Sequence, residues 1–317
     1  MKQCCPLLIF ISISLLLASP IQAQDTRKPV IDMHMHGYLG ELAMPNPITG
    51  KILVHNGDEH RKASLRLMED HNVVLGAVSA NADLETASQI LGAWRSDAGE
   101  RLLKGLFFGK KAGYPSIDLV RELIASEEID FLGEMCFQYD GRSPSDPELF
   151  EYYELAQELD VPVGIHTGMA APETPYHCCP DFRLSLGNPY LLEDVLVRYP
   201  RLRIWAMHAG GHYFNEMVTM MRMYPQLYVD ISPYTWLEGG NDALLDRFLK
   251  LAKEQDALDR VMFGSDQMRW PETINMAIQR VKSIDYLSDR EKEGILYDNA
   301  ARFLQLSREQ IAAHHAN

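Results

Sequence analysis

Val30-Ile31-Asp32-Met33-His34-Met35-His36-Gly37 is an apolar run with a β-branched start that stops on two imidazoles and a glycine. That composition reads as a short buried strand. In an extended segment, side chains two apart point to the same face. His34 and His36 therefore aim at one point, which is what a metal ion needs from its first two ligands. Two ordinary histidines at a strand end would look the same, so the rest of the chain has to decide.

Working outward, apolar runs of strand length recur at 72–78, 103–109, 129–135, 161–166, 203–208, 227–232 and 260–266. Helical patterns follow them at 61–70, 84–94, 115–126, 147–159, 189–199, 214–223 and 241–255, with mixed helices over 271–306 and a frayed His-rich tail. Residues 38–58 and 167–188 read as long loops. Eight buried strands alternating with helices predict a parallel sheet covered by helices. Their number and the chain length fit a (β/α)8 TIM barrel. A doubly wound open sheet is the alternative, but no Gly-rich phosphate loop follows any strand.

Ionisable side chains gather where these runs end. His34 and His36 close the first strand, Glu134 the fourth, His166 the fifth, His208 the sixth and Asp266 the eighth. A barrel brings the C-terminal ends of its strands into one mouth. Charged and imidazole groups buried there are costly unless paired or bound to metal. Imidazole plus carboxylate, without thiolate, suits a divalent ion such as Zn²⁺, with Mn²⁺, Fe²⁺ or Co²⁺ as further candidates. Such an ion keeps a position open for water and lowers its pKa toward about 7, supplying hydroxide at neutral pH.

The first residues carry a different message. Lys2, an apolar run over 6–18 and a small-residue ending at Ala23 read as a secretory signal peptide over residues 1–23. The mature domain is then 24–317, exported, and periplasmic if the source is Gram-negative. No other stretch approaches the roughly 20 apolar residues of a membrane helix. The formal charge of −14 and the lack of a Lys/Arg run argue against nucleic acid as a partner. Of five cysteines, Cys4 and Cys5 leave with the leader, and Cys136, Cys178 and Cys179 make no disulfide framework. Cys178 and Cys179 either close a vicinal disulfide or stay as separate thiols, and the thiol reading is preferred.

These motifs resemble the amidohydrolase superfamily, specifically the amidohydrolase-related branch that contains aminocarboxymuconate-semialdehyde decarboxylase. Asp32-Met33-His34-Met35-His36 is similar to its first-strand metal motif. The likeness continues through Asn188-Pro189, Tyr199-Pro200, Met207-His208-Ala209-Gly210-Gly211, Tyr224-Pro225 and Tyr228-Val229-Asp230-Ile231-Ser232. It closes with Phe263-Gly264-Ser265-Asp266 and Asp298-Asn299-Ala300-Ala301-Arg302-Phe303-Leu304. The resemblance implies that His34, His36, His166 and Asp266 hold one divalent metal. It places His208 beside the attacking water and gives Asp266 a proton-transfer role. Where many two-metal members carry a carboxylated lysine, this chain has Glu134. It either bridges two ions, with His166 and His208 serving the second, or stays unligated; one ion is preferred.

The preferred function is hydrolysis of an amide, ester or lactone bond of a small molecule. The alternative is non-oxidative decarboxylation of an aromatic or unsaturated carboxylic acid. A metal-loaded binding protein without turnover is a third reading, against which a proton-transfer pair beside the metal argues. Arg183, Tyr176, His177, His212, Trp236, Arg269 and Trp270 lie in the loops that shape the pocket, where an arginine can clamp a substrate carboxylate. Asp230 either faces the helices or pairs with a base. Cys136 reads as packing, and His55, His60, His71, His314 and His315 as surface residues. Self-association into a homo-oligomer stays open.

Overall fold

Eight parallel strands lie side by side in chain order. They are β1 (Val30–His36), β2 (Val73–Ser79), β3 (Leu102–Phe108), β4 (Phe131–Met135), β5 (Val163–His166), β6 (Ile204–Met207), β7 (Leu227–Asp230) and β8 (Val261–Met262). This is a computed structural model; it describes residue 1 and residues 27–109, 111–237 and 241–316. The leader expected over 1–23 lies, Met1 aside, outside the described residues. The fold is the expected (β/α)8 barrel, nearly closed, and the doubly wound alternative is set aside.

Between strands run α1 (Gly57–Asp70), α2 (Leu84–Ala98), α3 (Ile117–Ala125), α4 (Phe150–Glu158), α5 (Thr174–His177), α6 (Glu193–Arg198), α7 (Phe214–Met223) and α8 (Asn241–Glu254). After β8 come α9 (Thr273–Lys282), α10 (Asp289–Glu293), α11 (Asn299–Phe303) and α12 (Arg308–Ala316). Local chemistry sets several starts. Asn56, Asp83 and Ser116 accept the backbone N–H three residues on, and Ser288 forms a reciprocal capping box with Glu291. Among the described residues no helix is long and apolar enough to cross a membrane.

Ile31, Met33, Phe131, Trp205, Met207 and Met262 pack with Tyr297, Ala300 and Phe303 of the closing helical segment. Trp205 fits because β5 has Gly164 against it: a Cβ there would lie 2.6 Å from the indole. Above this apolar layer β1 slips register between Asp32 and Met35, and β4 between Leu132 and Met135. Such irregularities re-aim side chains, and these two strands carry His34, His36 and Glu134.

Several expectations need correction. The eighth strand, expected over 260–266, ladders only at Val261–Met262; beyond it the backbone bonds are scattered, to Ile295, Met33 and His34 main chain and to the Asp32 and Trp236 side chains. The helices expected at 147–159 and 189–199 begin as 3-10 turns. The His-rich tail is helix α12, anchored where His314 Nδ1 meets the Tyr297 hydroxyl at 3.0 Å. His60, read as surface, is fully buried. Cys178 and Cys179, read as thiols, are joined in a disulfide on the long loop after β5.

Candidate metal centre

Glu134 sits at the middle of the barrel mouth. Its Oε2 lies 3.6 Å from His34 Nε2 and 3.7 Å from His36 Nε2. Its Oε1 lies 3.4 Å from His208 Nε2 and 3.8 Å from His166 Nε2. Asp266 Oδ1 approaches His36 Nε2 to 3.0 Å and His34 Nε2 to 3.9 Å. The six side chains expected to converge are thus within one buried cluster. Two compact trios stand out in it: His34, His36 and Asp266, and His34, Glu134 and His208. His166 lies on the Oε1 side of Glu134 and belongs to neither.

The imidazoles are oriented from behind. His208 Nδ1 is 2.9 Å from the carbonyl oxygen of Ser232, which can only accept, so Nδ1 carries the hydrogen and Nε2 keeps its lone pair. His34 Nδ1 lies 3.2 Å from Asp230 Oδ2, which does the same for His34. Asp230 is itself saturated: its Oδ1 accepts from the Ser232 hydroxyl (2.6 Å) and the backbone N–H of Ser232 (3.0 Å) and His208 (3.3 Å). Asp230 thus pairs with a base, the second of its two expected roles. Asp32 Oδ1 accepts the N–H of His34 and of Ser265, and burial pushes its carboxyl up to about 7.

Burial would raise the pKa of Glu134 and of Asp266, yet the facing imidazoles outweigh it and hold both carboxyls below the ordinary range. Burial works against an imidazolium at His34, but Asp230 and Asp266 lift its pKa well above the usual value, so a cation at Nε2 would take the place of a proton there. His166 is the opposite case: burial, with His208 next to it, pushes it down to about 3, so it stands neutral. A buried pocket that keeps carboxylates ionised calls for positive charge. Its donors fit a divalent cation: His34 Nε2 is buried without a hydrogen-bond partner, and Asp266 Oδ1, 3.0 Å from His36 Nε2, has no aligned hydrogen bond.

Backbone strain gathers at the same place. His208, Ala209, Asp266 and Met268 take left-handed φ values of +64°, +48°, +43° and +42°, a conformation that costs non-glycine residues roughly 1–3 kcal/mol each. Among the loop candidates, Trp236 is buried and donates its indole N–H to the Ser265 carbonyl at 2.7 Å. Arg269 extends over the Tyr38 ring, 5.8 Å from its centroid. His177 instead pairs with Glu173 in solvent, and Arg183 turns onto the carbonyls of Pro180 and Phe182; neither makes a hydrogen bond or ion pair with the cluster. Sequence reasoning missed Ser232 as an orienting group and Tyr38, whose ring lies 6.3 Å from that of His36. Cys136 is buried, as expected, and burial holds its thiol pKa well above the ordinary value.

An eight-stranded parallel barrel with imidazoles and carboxylates collected at the carboxyl ends of its strands defines a TIM-barrel enzyme built around a metal centre. The chain belongs to the amidohydrolase family, in the amidohydrolase-related branch: the amidohydrolase model matches residues 31–306. No curated protein matches it. Solved structures that share its fold include a probable 2-pyrone-4,6-dicarboxylic acid hydrolase from Acinetobacter baumannii with citric acid bound. That protein is 14% identical, with 87% of this chain and 99% of that one covered at a TM-score of 0.62. The 5-carboxyvanillate decarboxylase of Sphingomonas paucimobilis is also 14% identical, over 88% of this chain and 99% of that one (TM-score 0.57). An amidohydrolase from Burkholderia multivorans with bound zinc is 16% identical, over 88% and 100% (TM-score 0.55).

Proposed function

We propose that the chain is an exported hydrolase that uses a divalent metal, zinc, to cleave an amide, ester or lactone bond of a small molecule. The observation that carries this reading is the arrangement around Glu134, where six donor side chains from five strand ends converge and two buried donor atoms lack an aligned hydrogen bond. His34, His36 and Asp266 would hold the ion, with Glu134 Oε2 beside them; His166 and His208 flank Oε1. When bound, the ion would act as a Lewis acid and lower the pKa of water.

The protein's own groups divide the remaining work. Asp266 can take a proton from the attacking water. His208, its Nδ1–H held by the Ser232 carbonyl, keeps a bare Nε2 that can take up the proton removed from the water and then pass it to the leaving group. The formal charge of −14, with no Lys/Arg run, argues for a small molecule rather than nucleic acid. Residues 1–23, with their positive start and apolar run, support export.

Decarboxylation is kept as the second reading because a fold relative is named a decarboxylase. Elemental analysis of the purified, metal-replete protein, followed by a panel of amides, esters, lactones and aromatic acids, tests both. One ion and hydrolysis are expected. Two ions per chain would assign Glu134 as a bridge, carbon dioxide release would replace hydrolysis by decarboxylation, and absence of metal would sink the mechanism.

A further inference from the structure

The barrel has a weak seam between β8 and β1, which stand at the two ends of the strand order and are not joined by a ladder. The seam runs between the two segments that carry His34, His36 and Asp266. Two main-chain bonds cross it, from Met33 N–H to Phe263 O (3.0 Å) and from Asp266 N–H to His34 O (2.8 Å). Above them, where strand pairing has ended, a side chain takes over. Gln267 donates from Nε2 to the carbonyl of His36 (3.0 Å) and accepts the N–H of His36 on Oε1 (2.9 Å). One amide thereby satisfies both backbone groups of His36, as a residue of a neighbouring strand would.

Gln267 is completely buried and lies between Asp266 and Met268, both in left-handed backbone conformations. A segment so strained keeps its shape only where its surroundings over-determine it. From the geometry we infer that Gln267 is a positioning residue: its two bonds fix the main chain of His36 against that of Asp266 and so set the separation of their side chains, 3.0 Å here. The inference rests on the metal reading above for its consequence, a preformed cation site, but not for the seam itself.

The test uses the full-length mature protein and zinc alone, with affinity read by competition against a chromophoric chelator. Gln267→Met keeps the length and removes both bonds. Groups that orient ligands typically matter 10–100-fold to metal affinity, and a loss of about that size is expected at unchanged circular dichroism. Asn299→Leu is the control for general loosening. Asn299 also makes two buried bonds to the β8 segment, at its other end, to the carbonyls of Leu258 (3.0 Å) and Val261 (2.7 Å). This variant should destabilise the protein yet bind zinc as the parent does.

Equal affinity in Gln267→Met, or an equal loss in Asn299→Leu, overturns the assignment. If the parent protein binds no zinc, the proposed function fails and amide exchange at His36 decides the seam. Exchange at least about tenfold faster in Gln267→Met supports it, and an unchanged rate overturns it. Should that variant not fold, Gln267→Glu, which has the same volume and keeps only the acceptor, is measured in the same two ways.

Discussion

Asp230 shows how much a single buried carboxylate decides at this site. Its Oδ2 faces His34 Nδ1 while Oδ1 collects three donors, so an amide in its place has no good orientation. With its NH₂ toward His34, an asparagine forces the hydrogen onto Nε2, where the cation needs a lone pair. With its NH₂ the other way, it meets the N–H groups of Ser232 and His208. Asp230→Asn is therefore expected to weaken zinc binding by about 10–100-fold, read by chelator competition. The His-x-His pair and the charged strand ends were legible because a polar side chain ending an apolar run is rare and local. Ser232 and Gln267 were not legible, because a serine or glutamine gains its role only from a partner about 24 or 231 positions away in the chain.

At the level of elements, the strands were readable and their ends less so. β8 was overestimated because 260–266 has strand composition, while its later residues are held by Asp32 and His34 across the seam and by Trp236 from the loop after β7. Close approach explains Gly264: a Cβ there would lie 2.8 Å from that of His34 and 3.2 Å from that of Asp230. Gly264→Ala should lower stability by about 1–3 kcal/mol through overpacking, seen as a lower urea midpoint. Helix α1 reaches the same segment through His60, whose Nε2 lies 2.7 Å from the Met268 carbonyl. His60 precedes the helical pattern of 61–70 and lies away from the strand ends, so it passed as a surface residue. Burial pushes its pKa down to about 4. The unfolded chain takes up that proton near pH 6.5 and the folded chain does not, so stability is complete above pH 6.5 and is lost as pH falls toward 4. The loss amounts to roughly 3 kcal/mol from this group. Urea unfolding at pH 7 and pH 4.5 should show a smaller decline in His60→Gln than in the parent; an equal decline would place the dependence elsewhere.

For the molecule as a whole, the donors are spread from β1 to the end of β8, with about 230 residues between His34 and Asp266. No segment of the unfolded chain holds them together, so a cation that binds here binds the folded state almost alone. Binding then adds RT ln(1 + [L]/Kd), about 2.7 kcal/mol at a hundredfold excess over Kd. For a domain of this size that corresponds to a rise in Tm of about 4–5 °C. Stripping the ion with a chelator should lower Tm by that amount, and adding zinc back should restore it in proportion to the logarithm of its concentration. Glu134→Gln, which removes the charge at the centre of the cluster, should erase most of the difference between stripped and loaded protein. A Tm indifferent to both treatments would mean that the convergence of side chains at the mouth is not a metal site, however well the barrel itself is formed.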